Sequence, residues 1–247
     1  MTKRLAILLI VSLFALGLGS AQAAGGGALQ SSHVNLNDQA SLQRGAALYM
    51  NYCAGCHSLE YQRYSRLAED IGLTEEQVMQ NLNFSSAGFG ETIVSAMNPG
   101  DGEAWLGKAP PDLSLVARRK AGGPDWTYTF LKSFYADETR PMGWNNTLLA
   151  NASMPNVLWE LQGVSRAVYT SDAAGTSHVS GLELASPGRL NAEQFDQVAR
   201  DITAFLTYVG EPAALKRQSM GVWVLLFLAF FTLMAWLLKQ EYWRDVH

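Results

Sequence analysis

Both cysteines of this 247-residue chain lie in one six-residue stretch, Tyr52-Cys53-Ala54-Gly55-Cys56-His57, and no third cysteine exists to pair with them. That placement excludes most uses of thiols. A disulfide framework needs several separated pairs. A dithiol oxidoreductase needs its Cys-x-x-Cys after a strand, within an α/β pattern that is not visible around this one. A zinc site needs a second half with ligand spacing, whereas His33, His178 and His247 stand alone. Cys-x-x-Cys followed directly by His is the pattern for c-type haem attachment, in which each thiol becomes a thioether and the adjacent imidazole is placed to coordinate iron. One covalently attached haem c then accounts for Cys53, Cys56 and His57 together, and for the absence of a spare cysteine.

The termini set the compartment. Lys3 and Arg4 precede an uncharged run from Leu5 to Leu18 and the small-residue site Ala21-Gln22-Ala23, so residues 1–23 are expected to be a cleaved secretory signal. At the other end, Met220 to Leu238 carries no charge and has the length of a helix crossing about 30 Å of hydrocarbon. It is apolar all round, with Trp223, Trp236 and Trp243 near its ends, which fits a lipid-exposed anchor better than a buried core helix. Basic residues flank both sides, so the signal decides the orientation. Residues 24–215 are expected on the periplasmic side of the inner (cytoplasmic) membrane, 216–239 as the single transmembrane anchor in contact with lipid, and 240–247 as a cytoplasmic tail.

The stretch between these ends is about one domain long. From Ala24 to Arg217 there are 14 Lys and Arg against 20 Asp and Glu, a net of −6. That balance disfavours nucleic acid and favours a basic protein partner. Leu42, Gly45, Ala46, Tyr49 and Cys53 share one helical face, so a helix leads into the cysteine motif. Thr74 with Gln77 forms a capping box for a helix through Leu82, and Pro124 opens a third helix reaching Tyr135. The clearest spans Asn191 to Val209, where Asn191 and Gln194 cap a stripe of Phe195, Val198, Ala199, Ile202, Leu206 and Val209. Convincing strands are few, and residues 165–190 suggest a loop or small β-excursion. The expected fold is mostly α with long loop insertions, plus one C-terminal transmembrane helix.

At these residues the chain resembles a cytochrome c domain. Gly45 and Tyr49, eight and four residues before Cys53, match the small and aromatic pair on that family's first helix. Phe205 is similar to the aromatic on the last helix that crosses it. The Pro110-Pro111-Asp112-Leu113-Ser114 stretch resembles the proline segment whose carbonyl, here that of Pro111, accepts the Nδ1 proton of the haem-ligating His57. The segments CHSLEYQRYSRL, PPDLSLVARRKAGGPDW and SMPNVLWELQG, followed by the single span, are together similar to the bacterial cytochrome c1 family. That family is the haem subunit of the cytochrome bc1 complex.

Several expectations follow from the resemblance. The sixth iron ligand falls on Met154, with Met142 and Met97 as the other loop candidates, while Met50 and Met79 sit inside expected helices as packing. Arg118, Arg119 and Lys120 follow the proline segment, where the family offers a cation to the haem propionates, and the spacing does not choose among them. Tyr61, Tyr64 and Trp126 either line the haem edge or fill the core. The implied function is electron transfer from a Rieske iron–sulfur protein to a soluble cytochrome c, beside cytochrome b, in a dimeric multi-subunit quinol–cytochrome c reductase. The chain alone is then an electron carrier with no catalytic residue of its own. A tethered cytochrome feeding a terminal oxidase, and a haem enzyme with a vacant distal site, are the alternatives. Acidic pairs at Glu69-Asp70, Glu75-Glu76 and Asp137-Glu138 offer a docking field for a basic acceptor.

Overall fold

The first helix begins where Asp38 accepts the Ser41 amide at 3.0 Å, a cap that satisfies one of the unpaired amides of a helix start. This helix, α1 (Gln39–Tyr52), buries Leu42, Gly45, Ala46, Tyr49 and Met50. In a computed structural model that describes residues 28–171 and 177–245, α1 is followed by β1 (Leu59–Arg63), α2 (Tyr64–Ile71), α3 (Glu75–Asn81) and β2 (Thr92–Ile93). Then come α4 (Pro99–Leu106), α5 (Val116–Arg119), α6 (Gly123–Lys132), β3 (Phe134–Ala136), β4 (Trp144–Asn146) and α7 (Trp159–Gln162). The chain continues through β5 (Gly163–Ser171), β6 (Ser177–Pro187), α8 (Ala192–Gly210) and α9 (Ala214–Trp243). The signal expected at residues 1–23 lies outside the described residues, as does His247.

The frame of the fold is the crossing of α1 and α8. A Cβ on Gly45 would lie 2.1 Å from the Asp201 carbonyl oxygen and 2.7 Å from the Phe205 Cβ, so only glycine lets the two backbones approach this closely. Beside that contact the rings of Tyr49 and Phe205 pack with centroids 5.5 Å apart. The Asp201 carboxylate is buried at the same crossing and accepts from Ser41 Oγ at 2.6 Å, Arg44 Nε at 2.7 Å and Gln197 Nε2 at 2.8 Å. Those donors offset the cost of burying a charge, and removing one would leave it partly uncompensated. Around the crossing, Leu59, Leu67, Ile71, Val78, Ile202 and Phe205 are fully buried, each large apolar side chain contributing about 1.5–3 kcal/mol.

Both expected capping boxes are present, Thr74 with Gln77 on α3 and Asn191 with Gln194 on α8. One expectation needs correction. The helix from Pro124 ends at Lys132, not Tyr135. Ser133 turns its hydroxyl back to the Thr129 carbonyl, and Phe134 and Tyr135 instead pair with Asn146 and Asn145 across β3 and β4. The open choice for residues 165–190 resolves as a long antiparallel hairpin of β5 and β6. The described residues hold three two-stranded sheets, and Leu59 and Ile93 of the first belong to the core.

Helix α9 is 30 residues long, and its most apolar stretch has a mean hydropathy of 2.3 with none of it buried in the chain. At 1.5 Å per residue it reaches roughly 45 Å, more than the hydrocarbon thickness. It outruns the uncharged Met220–Leu238 stretch because its first and last turns carry Lys216, Arg217, Lys239 and Glu241.

Candidate haem-binding site

The cysteine motif is the continuation of α1 into a tight turn. The amides of Cys53, Cys56 and His57 donate to the carbonyls of Tyr49, Cys53 and Cys53 at 2.8, 3.0 and 2.9 Å. This winding puts the two thiols about one turn apart. Cys53 is buried and Cys56 half-buried. Burial, and then the neighbouring Cys56, push the Cys53 thiol up to about 12, so the free thiol is neutral at pH 7 and ill suited to dithiol exchange.

His57 is held from both sides. Its Nδ1 lies 2.7 Å from the Pro111 carbonyl oxygen. A carbonyl only accepts, so Nδ1 carries the proton and Nε2 the lone pair. Burial lowers the imidazole's pKa, against the opposing pull of the Pro111 carbonyl and Asp112, which favours the neutral form that binds metal. On the main chain, the Tyr49 hydroxyl donates to the His57 carbonyl at 2.7 Å.

The proline segment is stitched to the motif. The Leu113 amide donates to the Ser58 carbonyl at 3.0 Å. The Asp112 carboxylate accepts the amides of Glu60 and Ser114, each at 2.8 Å. Ser95 joins from the third side: its amide donates to Ser58 Oγ and its hydroxyl to the Gly55 carbonyl, both at 2.9 Å. None of Tyr49 Oη, Ser58, Ser95 or Asp112 stands out in the sequence as part of a site. Only the nearness of Asp112 to the proline pair signals it.

Cys53, Cys56, His57 and Pro111 are therefore joined by direct hydrogen bonds, whereas the remaining expected site residues lie on other segments. Met154 is half-buried in the loop between β4 and α7, flanked by buried Ala152 and Asn156. Met97 is half-buried, its sulfur beside Gly102 on α4, which also abuts Pro110. Met142 is 36% exposed in the β3–β4 connection. Met50 is core, and Met79 packs against it. Arg118, Arg119 and Lys120 are all exposed. Arg118 reaches Glu211 at 3.8 Å and Lys120 sits 4.3 Å over the Trp126 ring; Arg119 makes no ion pair or side-chain hydrogen bond among the described residues. Tyr64 is a core residue at 3% exposure, while Tyr61 is 72% exposed.

A c-type haem suits this donor set: two thiols one turn apart, followed by an imidazole whose Nδ1 proton is already engaged. Among the described residues no group of three or more His, Cys, Asp or Glu side chains is placed to hold a metal ion by itself.

Comparison with known proteins gives the same direction. The model described as "Cytochrome C1 family" matches residues 30–88 and 188–246, the two stretches that carry the cysteine motif and the α8–α9 pair. The stretch between them holds Pro111 and Met154. A cytochrome c1 from Allochromatium vinosum is 49% identical over 97% of this chain and 99% of its own length. A Nitrosomonas europaea protein named ammonia monooxygenase gamma subunit is 37% identical over 89% of each chain. A cytochrome c1 from Rhodospirillum rubrum is 27% identical over 85% of this chain and 83% of its own. With a fold that is mostly helical, ends in one helix long and apolar enough to span a membrane, and carries the haem motif at the end of its first helix, the chain belongs to the cytochrome c1 family.

Proposed function

We propose that the chain is the haem subunit of a quinol–cytochrome c reductase and carries one haem c, which Cys53 and Cys56 would hold covalently and to whose iron His57 and Met154 would be the protein ligands. The observation that carries this reading is the 2.7 Å contact between His57 Nδ1 and the Pro111 carbonyl. It fixes the ring's tautomer and raises the basicity of Nε2. When bound, the haem supplies a one-electron couple. A thioether from Met154 favours the reduced state and so raises the potential. Two protein ligands leave no coordination position for a substrate, so the isolated chain is an electron carrier and the enzyme is the assembled complex. Arg119, whose two basic neighbours are otherwise engaged, is the first choice among the three for a propionate partner.

In this reading residues 24–215 form a periplasmic haem domain, 216–239 within α9 the anchor in the inner membrane, and 240–247 the cytoplasmic tail. Cytochrome b and lipid contact the anchor, a Rieske iron–sulfur protein delivers the electron, and a soluble cytochrome c removes it, in a dimeric complex. Glu69, Glu75, Glu76 and Glu138 are exposed and available to steer a basic acceptor, whereas Asp70 and Asp137 are held in internal hydrogen bonds. Reduction of a basic cytochrome c should therefore slow by about tenfold or more from low to physiological salt. A salt-independent rate argues against steering.

Purification of the tagged chain from detergent-solubilised membranes tests the assignment. A b-type cytochrome and a Rieske protein are expected to copurify in fixed ratio. Copurification with a terminal oxidase or an ammonia-oxidising complex instead, in their absence, would move the chain to another setting. Tight cyanide binding without displacement of a protein ligand would indicate a vacant distal site.

A further inference from the structure

We propose that Asp137, Arg140, Asn145 and Asn151 form a clamp that positions the loop presenting Met154, an inference that rests on Met154 being the sixth ligand. The residues come from the β3–β4 hairpin and from the start of the following loop. Asn145 is 7% exposed and Asn146 1% exposed, and buried amides on a three-residue strand are costly unless both their oxygen and their nitrogen find partners. Here both ends of each amide do. Asn145 Oδ1 accepts the amides of Asn146 at 2.9 Å and Asn151 at 2.8 Å, and its Nδ2 donates to Asp137 Oδ2 at 2.9 Å. Asn146 Oδ1 accepts the amides of Leu148 and Leu149 at 2.9 and 3.0 Å, and its Nδ2 donates to the Phe130 carbonyl at 2.9 Å.

The clamp closes on Asn151 from its other side as well, because Arg140 donates to the Asn151 carbonyl at 3.3 Å. Asn151 is held at φ 61, a left-handed conformation that asparagine tolerates better than other non-glycine residues. Beyond Asn151 the chain runs through buried Ala152 to Met154. On the far side, Asn156, 2% exposed, accepts the Leu158 amide at 3.0 Å and donates to Gln162 Oε1 at 3.0 Å. Met154 thus lies on a short span between two hydrogen-bonded posts.

These bonds exceed what the hairpin needs. β3 and β4 pair through their own backbones, yet the Asn145 side chain and Arg140 both reach past the hairpin to the one backbone unit that sets the direction of the Met154 loop. A thioether is a neutral, weakly basic ligand on a flexible side chain. Its occupancy of the iron depends on how little conformational freedom is lost on binding. Asp137, Arg140 and Asn145 are positioning residues in this scheme, acting on the backbone of Asn151 and through it on Met154.

The test uses the full-length chain in its detergent-solubilised complex and compares wild type, Met154→Leu, Asn145→Ala and Asn151→Gly. The readouts are the sulfur-to-iron charge-transfer band, the midpoint potential and the cyanide association rate. Asn145→Ala is expected to retain attached haem, weaken the band, lower the potential and speed cyanide association by about tenfold, the scale of one lost hydrogen bond. Asn151→Gly, which keeps the clamped amide and carbonyl and adopts φ 61 without strain, is expected to keep the band. An Asn145→Ala chain with wild-type band, potential and cyanide rate overturns the clamp while Met154 stands. A band that survives in Met154→Leu overturns the ligand assignment and the clamp with it. Should Asn145→Ala give no haem-bearing chain, Arg140→Ala carries the test with the same readouts, and a wild-type response there overturns the proposal.

Discussion

Tyr49 shows how one side chain connects core and site. Its ring packs on Phe205, and burial, followed by the proximity of Cys53, raises its phenol far above the ordinary value. It therefore remains a hydrogen-bond donor to the His57 carbonyl at any working pH. A second residue governs acid stability. Burial alone would raise the Asp196 carboxyl, but hydrogen bonds from Lys132, Tyr128 and Arg200 hold it down at about 2, against an ordinary value of 3.8. A carboxyl depressed in the folded state contributes stability that is complete above the unfolded value and lost as pH falls through the folded one. Asp196 is partly solvent-exposed, so the contribution is on the order of 1–2 kcal/mol after screening. Asp196→Asn should therefore lower the melting temperature of the haem domain by several degrees at pH 7, with the gap to wild type closing between about pH 4 and pH 2. An equal gap at pH 7 and pH 2.5 would remove the ion-pair explanation.

At the scale of elements, the α1–α8 crossing holds the haem motif in place. Gly45→Ala puts a methyl group 2.1 Å from the Asp201 carbonyl oxygen, which forces the helices apart and disturbs both the Tyr49–Phe205 packing and the donors around Asp201. A loss of about 2–4 kcal/mol is expected from such overpacking combined with a weakened buried carboxylate, measured by denaturant unfolding of the haem-loaded chain. A loss below 0.5 kcal/mol would mean the crossing has room to yield. The helices that meet here were legible from sequence because their signals are local. Periodic apolar residues and capping boxes at Thr74 and Asn191 need only neighbours a few positions away. The β5–β6 hairpin was not fully legible, since its Ser, Gly and Thr content lacks clean alternation and its pairing joins residues up to 24 apart. The site divides the same way. Cys-x-x-Cys-His is readable because its spacing is its chemistry, and the Pro111 contact was expected by resemblance. Ser58, Ser95, Asp112 and the Asn145 clamp act through contacts between distant segments, which single-sequence spacing does not encode.

Taken whole, the molecule is a haem-binding domain joined to one apolar helix through the Glu211 corner, where Arg217 at 2.6 Å and Arg118 at 3.8 Å share a carboxylate. A chain ending after Arg217 keeps α8 and that corner and loses the stretch long enough to span a membrane. It should be recovered as a water-soluble haem protein with the spectrum of the full chain; persistence in washed membranes without partner subunits would contradict the role given to α9. The central claim is that Cys53 and Cys56 hold one haem c ligated by His57, and the most direct measurement is the alkaline pyridine spectrum of the chain before and after acid-acetone extraction. The account predicts one haem per chain that resists extraction in wild type and none on the Cys53→Ala, Cys56→Ala double variant. Haem fully extractable from the wild-type chain, or still bound to the double variant after extraction, would contradict it.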